Sequence, residues 1–272
     1  MLRTRVLTAL VLFAVPAAAF LLLTPDRFAY ALLAVTALAA FEWGRLCLPR
    51  SRAAALVYAA AVTVATMLLS VVPGAATAVI GAGALAWCPA PVLLVRWAGR
   101  RTVPAVALVL GFVVLAPAWF ALVRLRAMDG GYYLWMLLAL VWAADIGAYF
   151  IGRAFGRRKL ASAISPGKTR EGAVGGLASA VAVGAAGGWM FTAPAALHPF
   201  ARLAACLAAA AFSIVGDLSE SLIKRMAGVK DSGSLLPGHG GVLDRIDGIL
   251  AAAPVFTVVL WLLNPGQFAH FP

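Results

Sequence analysis

Long apolar runs recur along almost the whole of this chain, and they restrict its fold more than any other feature. Val6–Leu23, Phe28–Phe41, Ala53–Val72, Ala75–Val95, Val103–Val123, Tyr132–Ile151, Gly172–Phe191, Ala201–Ser221 and Gly248–Leu263 are each almost free of charge. Most approach the ~20 residues that an α-helix needs to cross a bilayer. With 64% hydrophobic and 12% charged residues, the chain falls far from the ~25% charge of a soluble domain. In lipid every backbone polar group must be satisfied internally, so such runs fold as helices. The expected fold is therefore an all-α polytopic membrane protein of about nine transmembrane helices. Residues 1–131 hold about five N-terminal spans, and 132–272 hold the rest, with polar loops at 152–170 and 222–245. The Ala-rich segment after Pro16 also resembles a cleavable leader. Its apolar run continues through Phe20-Leu21-Leu22-Leu23, so we read it as the first span.

The basic residues orient the spans. If they alternate from a cytoplasmic N-terminus, only Arg27, Arg124, Arg126 and Arg202 fall outside, while the other 18 of the 22 Lys and Arg fall inside. This is the bias expected of cytoplasmic loops, and it places both polar loops on the cytoplasmic side of an inner or plasma membrane. The net charge of +12 is thereby accounted for, and it also suits an anionic substrate or lipid headgroup. Nucleic acid is not expected, because the cations are scattered between spans rather than gathered on one face. Cys47, Cys88 and Cys206 follow no metal or disulfide spacing.

Five of the chain's ten acidic residues stand in one window: Asp217, Glu220, Asp231, Asp244 and Asp247, with Lys224, Arg225, Lys230 and Arg245 among them. A carboxylate within a span costs about 2.5–3.5 kcal/mol on insertion scales and faces a cavity or a partner. Positions 217, 220, 221 and 224 follow i, i+3, i+4, i+7 spacing, so Asp217, Glu220, Ser221 and Lys224 share one helix face. Carboxylates and a hydroxyl are hard oxygen ligands suited to Mg2+. A surface ion-pair stripe would show the same spacing. After this face comes Pro237-Gly238-His239-Gly240-Gly241, a turn whose backbone N–H groups can approach an anion, and then Asp244-Arg245-Ile246-Asp247. His239 is a candidate acid/base or phosphate donor. Upstream, Asp145 lies inside the sixth run, and Ser165-Pro166-Gly167-Lys168-Thr169-Arg170-Glu171-Gly172 places cations where the seventh run begins. That helix start favours anions, although the Walker A spacing is absent. Carboxylates for metal and cations beside glycine turns, on one membrane face, point to metal-dependent chemistry on phosphates.

These residues resemble the signature of the phosphatidate cytidylyltransferases, also called CDP-diglyceride synthetases. Ser221-x2-Lys224-Arg225-x4-Lys230-Asp231-x-Gly233-x2-Leu236-Pro237-x-His239-Gly240-Gly241-x2-Asp244-Arg245-x-Asp247 specifies 14 positions in 27 residues. Asp145-x-Gly147-Ala148-Tyr149-Phe150-x-Gly152-Arg153 and Ser165-Pro166-x-Lys168-Thr169-x-Glu171-Gly172 are similar to the family's other motifs. Ile146 departs from the pattern, where Thr or Ser is expected beside Asp145.

The resemblance covers Trp142 to Asp247 in detail. It implies transfer of CMP from CTP to phosphatidate, with Mg2+ as cofactor and a second cation such as K+ nearby. It further implies Asp217 and Asp244 as metal carboxylates, with Glu220 and Asp145 as secondary candidates. Lys168, Lys224, Arg225 and Arg245 would hold phosphates. Asp231, His239 and Asp247 would order the loop or bind nucleotide, with Ser165, Thr169, Ser221, Lys230, Gly240 and Gly241 around the substrate. The oligomeric state stays open, a homodimer being one expectation. A transporter would explain buried carboxylates but would favour two repeated halves and a midplane site, and no internal repeat is present. A CDP-alcohol phosphotransferase would carry Asp-Gly-x2-Ala-Arg, which is absent.

Overall fold

The computed structural model describes residue 11 and residues 14–99, 104–190 and 198–265. Ten helices and one small hairpin follow in order: α1 (14–22), α2 (Pro25–Cys47), α3 (Arg52–Ser70), α4 (Ala75–Trp87), α5 (Ala90–Trp97), α6 (Pro104–Ala127), α7 (Tyr132–Phe155), β1 (Lys159–Ala161), β2 (Ser165–Thr169), α8 (Arg170–Met190), α9 (Pro199–Met226) and α10 (Leu243–Leu263). Among the described residues six helices are long and apolar enough to cross a membrane, or seven if α4 and α5 form one bent span. The chain is therefore an all-α polytopic membrane protein. Of the expected first run, Val6–Leu23, residues 6–10, 12 and 13 lie outside the described residues, and 14–22 form α1. α8 corresponds to the expected seventh run. Large side chains such as Leu22, Val57, Leu68 and Val95 point outward, as they do on helices whose outer face meets lipid.

Local chemistry sets the helix ends. Pro25 occupies the first turn of α2, where its missing N–H leaves no extra vacancy. The Ser51 side chain accepts the Ala54 amide at 3.1 Å and caps α3. The expected fourth run, Ala75–Val95, is not one straight helix: it breaks at Cys88-Pro89 with a 44° bend. Continuous hydropathy concealed that break, which the proline enforces.

The long loop expected at 152–170 also contains regular structure. β1 and β2 pair antiparallel, Lys159 opposite Thr169 and Ala161 opposite Ser165. Thr169 Oγ1 then accepts the Gly172 amide at 3.1 Å, satisfying an orphan donor of α8. Glu171 accepts the amides of Arg157 (3.1 Å) and Arg158 (3.2 Å), tying the end of α7 to the start of α8. The second loop is shorter than 222–245, because α9 continues to Met226.

Small residues bring the functional helices close together. A side chain added at Gly176 of α8 would lie 2.7 Å from the Ala144 carbonyl of α7, and one at Gly172 would lie 2.8 Å from that of Ala148. Likewise a Cβ at Gly216 of α9 would stand 2.5 Å from the Asp247 carbonyl of α10. Such contacts replace hydrophobic driving force inside a bilayer. The first two bring α7, which carries Asp145, against α8, and the third brings α9, with Asp217, against α10, with Asp247. The hairpin, the C-terminal ends of α2, α7 and α9 and the N-terminal ends of α8 and α10 consequently gather at one end of the bundle.

Candidate active site

At that end a cavity of about 360 Å3 is lined by Asp145 from α7, Asp217, Ser221, Lys224 and Arg225 from α9, Lys230 and Asp231 from the loop, and Asp244, Arg245 and Asp247 from α10. Five carboxylates and four cations therefore meet in one small volume. Lys168 reaches the same place from the hairpin by pairing with Asp217. A neighbouring cavity of about 580 Å3 shares Asp145 and Asp217, and adds Arg153, Lys168 and Thr169.

The four residues of the α9 face divide into two adjacent stripes. Asp217 and Ser221 face the ionic cavity, Ser221 Oγ donating to Asp217 Oδ1 at 3.4 Å. Glu220 lies on the other stripe and pairs with Lys224, which also lines the ionic cavity. Glu220 is 2% exposed and does not line the ionic cavity. With Asp247 it borders a narrow apolar crevice of about 100 Å3 among Trp43, Trp87, Trp97 and Val113. Lys224 Nζ also meets Asp244 Oδ1 at 2.6 Å, so this expected phosphate ligand sits between two carboxylates.

Asp244 is held from every side. Besides Lys224, its Oδ2 accepts the Ser232 amide (2.9 Å), the Ser232 hydroxyl (3.0 Å) and the Gly241 amide (2.8 Å). Gly240 has φ +83°, and a Cβ there would stand 2.5 Å from Asp244 Oδ2. Only glycine tolerates both conditions without strain.

The remaining expected residues fall into place less centrally. Arg225 donates to the carbonyls of Ile164 (3.4 Å) and Val229 (3.3 Å), joining hairpin and loop. The His239 amide closes its turn on the Leu236 carbonyl at 2.9 Å. Its side chain is not among the residues lining the ionic cavity. Ser165 belongs to β2, and Gly240 and Gly241 shape the turn.

Two contributors were not read from the sequence. Glu42, on α2, is buried and accepts the Ser232 hydroxyl (3.0 Å) and the amides of Val242 (3.0 Å) and Leu243 (2.8 Å). Ser232 links Glu42 to Asp244. The available signal was an acidic residue inside an apolar stretch that continues through Leu46-Cys47-Leu48.

Among the described residues no three His, Cys, Asp or Glu side chains converge into a complete metal site. Hard oxygens are nevertheless abundant in the cavity. Mg2+ commonly takes one or two protein carboxylates and completes its octahedron with water and substrate phosphates. The donor set fits that mode of binding.

A helical membrane bundle with carboxylates and cations gathered at one end defines an enzyme class that handles phosphates beside lipid. The sequence profile of the cytidylyltransferase family matches residues 3–263, and the chain belongs to that family. It is 44% identical over 275 residues to the phosphatidate cytidylyltransferase of Pseudomonas aeruginosa, covering 98% of this chain and 99% of that protein. The protein of the same name from Haemophilus influenzae is 36% identical, with 94% and 98% covered. That from Brucella suis is 40% identical, with 78% and 76% covered.

Proposed function

We propose that this chain is a phosphatidate cytidylyltransferase. It transfers CMP from CTP to phosphatidate, giving CDP-diacylglycerol and pyrophosphate for phospholipid synthesis. One observation carries the reading: carboxylates, cations and an apolar crevice meet at one end of a membrane bundle in a member of this family. A phosphatidate oxygen attacks the α-phosphorus, and the bond from that phosphorus to the bridging oxygen of the β-phosphate breaks. The electron pair leaves with pyrophosphate. No protein nucleophile is required, so the protein contributes positioning and neutralisation of charge.

Lys168, Arg245, Lys230 and Arg225 hold the phosphates and draw two anionic substrates together. Asp217, Asp145, Asp247 and Asp244, which line the one cavity, would hold Mg2+. When bound, Mg2+ supplies Lewis-acid polarisation of the phosphoryl oxygens, and a second cation such as K+ belongs to the same reading. Lys224 keeps Asp244 charged and oriented. The cavity shared by Asp145, Lys168 and Arg153 admits the lipid headgroup. The finer architecture we propose has nine spans, a cytoplasmic N-terminus and the site at the cytoplasmic face, in agreement with Arg45, Arg50 and Arg52 lying near the same end. A homodimer completes the proposal.

The test supplies purified protein with phosphatidate, Mg2+ and CTP labelled at its α-phosphate. Lipid-extractable label should appear in step with pyrophosphate. Asp217→Asn should lower the rate by at least about 100-fold, as loss of a charge-stabilising group does. Undiminished transfer by that variant would remove Asp217 from the mechanism, and no transfer by the unaltered chain would overturn the function.

A further inference from the structure

We infer that Glu42, far from the signature window in sequence, is the positioning residue that fixes Asp244 in its working orientation. The inference rests on the cytidylyltransferase reading above and extends it to the N-terminal half of the chain. α10 begins at Leu243 with Val242 as its N-cap, and Val242 has no side-chain oxygen to offer. The orphan amides at this helix start require an acceptor. Glu42 supplies it from another helix: Oε1 accepts the Val242 amide at 3.0 Å and Oε2 the Leu243 amide at 2.8 Å. The carboxylate also lies at the positive end of α10.

Oε2 additionally accepts the Ser232 hydroxyl, whose oxygen lies 3.0 Å from both Glu42 Oε2 and Asp244 Oδ2. One hydroxyl has one proton, so Ser232 Oγ donates to one carboxylate at a time; its backbone amide serves Asp244 Oδ2 at 2.9 Å, which leaves the hydroxyl proton for Glu42. Glu42 thus sets both the entry of α10 and the residue that cradles Asp244. The loop is shaped around it: a Cβ at Gly233 would lie 2.5 Å from Glu42 Oε1, and one at Gly241 would collide with Glu42 and Ser232. With 5% exposure, Glu42 is shielded from water, which would otherwise replace these bonds.

Glu42→Gln is the informative change, because the volume is kept while one acceptor becomes a donor facing a donor. Full-length protein in lipid-containing micelles is assayed for cytidylyl transfer, with the folded fraction measured by thermal melting. Expected is a fall in kcat per folded molecule of about tenfold to 100-fold, the cost of a small misplacement at a reacting centre. KM for CTP and phosphatidate should stay within about threefold, since the lost interaction acts on the reacting geometry. Ser232→Ala should lower kcat by a smaller factor, and adding it to Glu42→Gln should change little, because both act through one relay. Wild-type kcat per folded molecule in Glu42→Gln, or losses that multiply in the double variant, would overturn the inference. Should Glu42→Gln fail to fold, Ser232→Ala decides alone: an unchanged kcat overturns the relay. An unaltered chain without transfer would instead overturn the proposed function.

Discussion

Removing Lys224 while keeping its two partners tests the reading of the site as a buried ionic framework. Lys224 lies between Glu220 and Asp244, with side-chain exposures of 11%, 2% and 5%. Solvent therefore screens these charges weakly. In Lys224→Met, Asp244 keeps the Ser232 and Gly241 donors, so most of the penalty falls on Glu220. Breaking one partner out of a buried pair costs about 3–5 kcal/mol. At about 2–4 °C per kcal/mol for a chain of this size class, the melting temperature should fall by on the order of 10 °C. Adding Glu220→Gln removes the stranded charge and should restore more than half of the loss. Activity should stay at least about 100-fold down in both variants, because Asp244 has lost its counter-charge in each. Thermal melting in detergent and the α-phosphate label assay measure the two effects separately. A Lys224→Met melting temperature within about 2 °C of wild type, or no recovery in the double variant, would refute the argument.

Two further perturbations probe the scaffold. Gly175→Leu should destabilise the protein by at least about 1–3 kcal/mol, the range for overpacking, because even a Cβ at Gly175 would stand 2.5 Å from Ile151 Cβ across the α7–α8 contact; a thermal melt checks it. Thr169→Val removes the hydroxyl that accepts the Gly172 amide and should cost about 1 kcal/mol. It should also raise proteolytic nicking near Lys168, since the cap holds the hairpin to α8.

How much could be read in advance depended on the separation between interacting residues. The helices were legible because each span carries its own apolar run, and backbone satisfaction in lipid leaves no competing fold. The window from Asp217 to Asp247 was legible for a similar reason, since nearby residues in sequence supply most of its groups. Helical spacing placed Asp217, Glu220, Ser221 and Lys224 together. It could not divide them, because all four lie on one face, and only the packing of neighbouring helices decides that Glu220 turns from the cavity that the other three line. The hairpin escaped because its strands span three and five residues, too short for alternation to stand out.

Glu42 is the instructive failure. Its partners lie 190, 200 and 201 positions away, so no local pattern in either segment announces the contact. Only the cost of leaving a carboxylate in an apolar run implies that a partner exists. The same cost explains why the site has to draw on both halves of the chain. Asp244 must remain charged beside lipid, and the signature window supplies it one contacting cation, Lys224, and the loop donors of Ser232 and Gly241. A buried acceptor on α2, shaped against Gly233 and Gly241, is what turns those donors toward Asp244. The N-terminal helices, generic by sequence, are on this argument part of the machinery that orients the reacting groups.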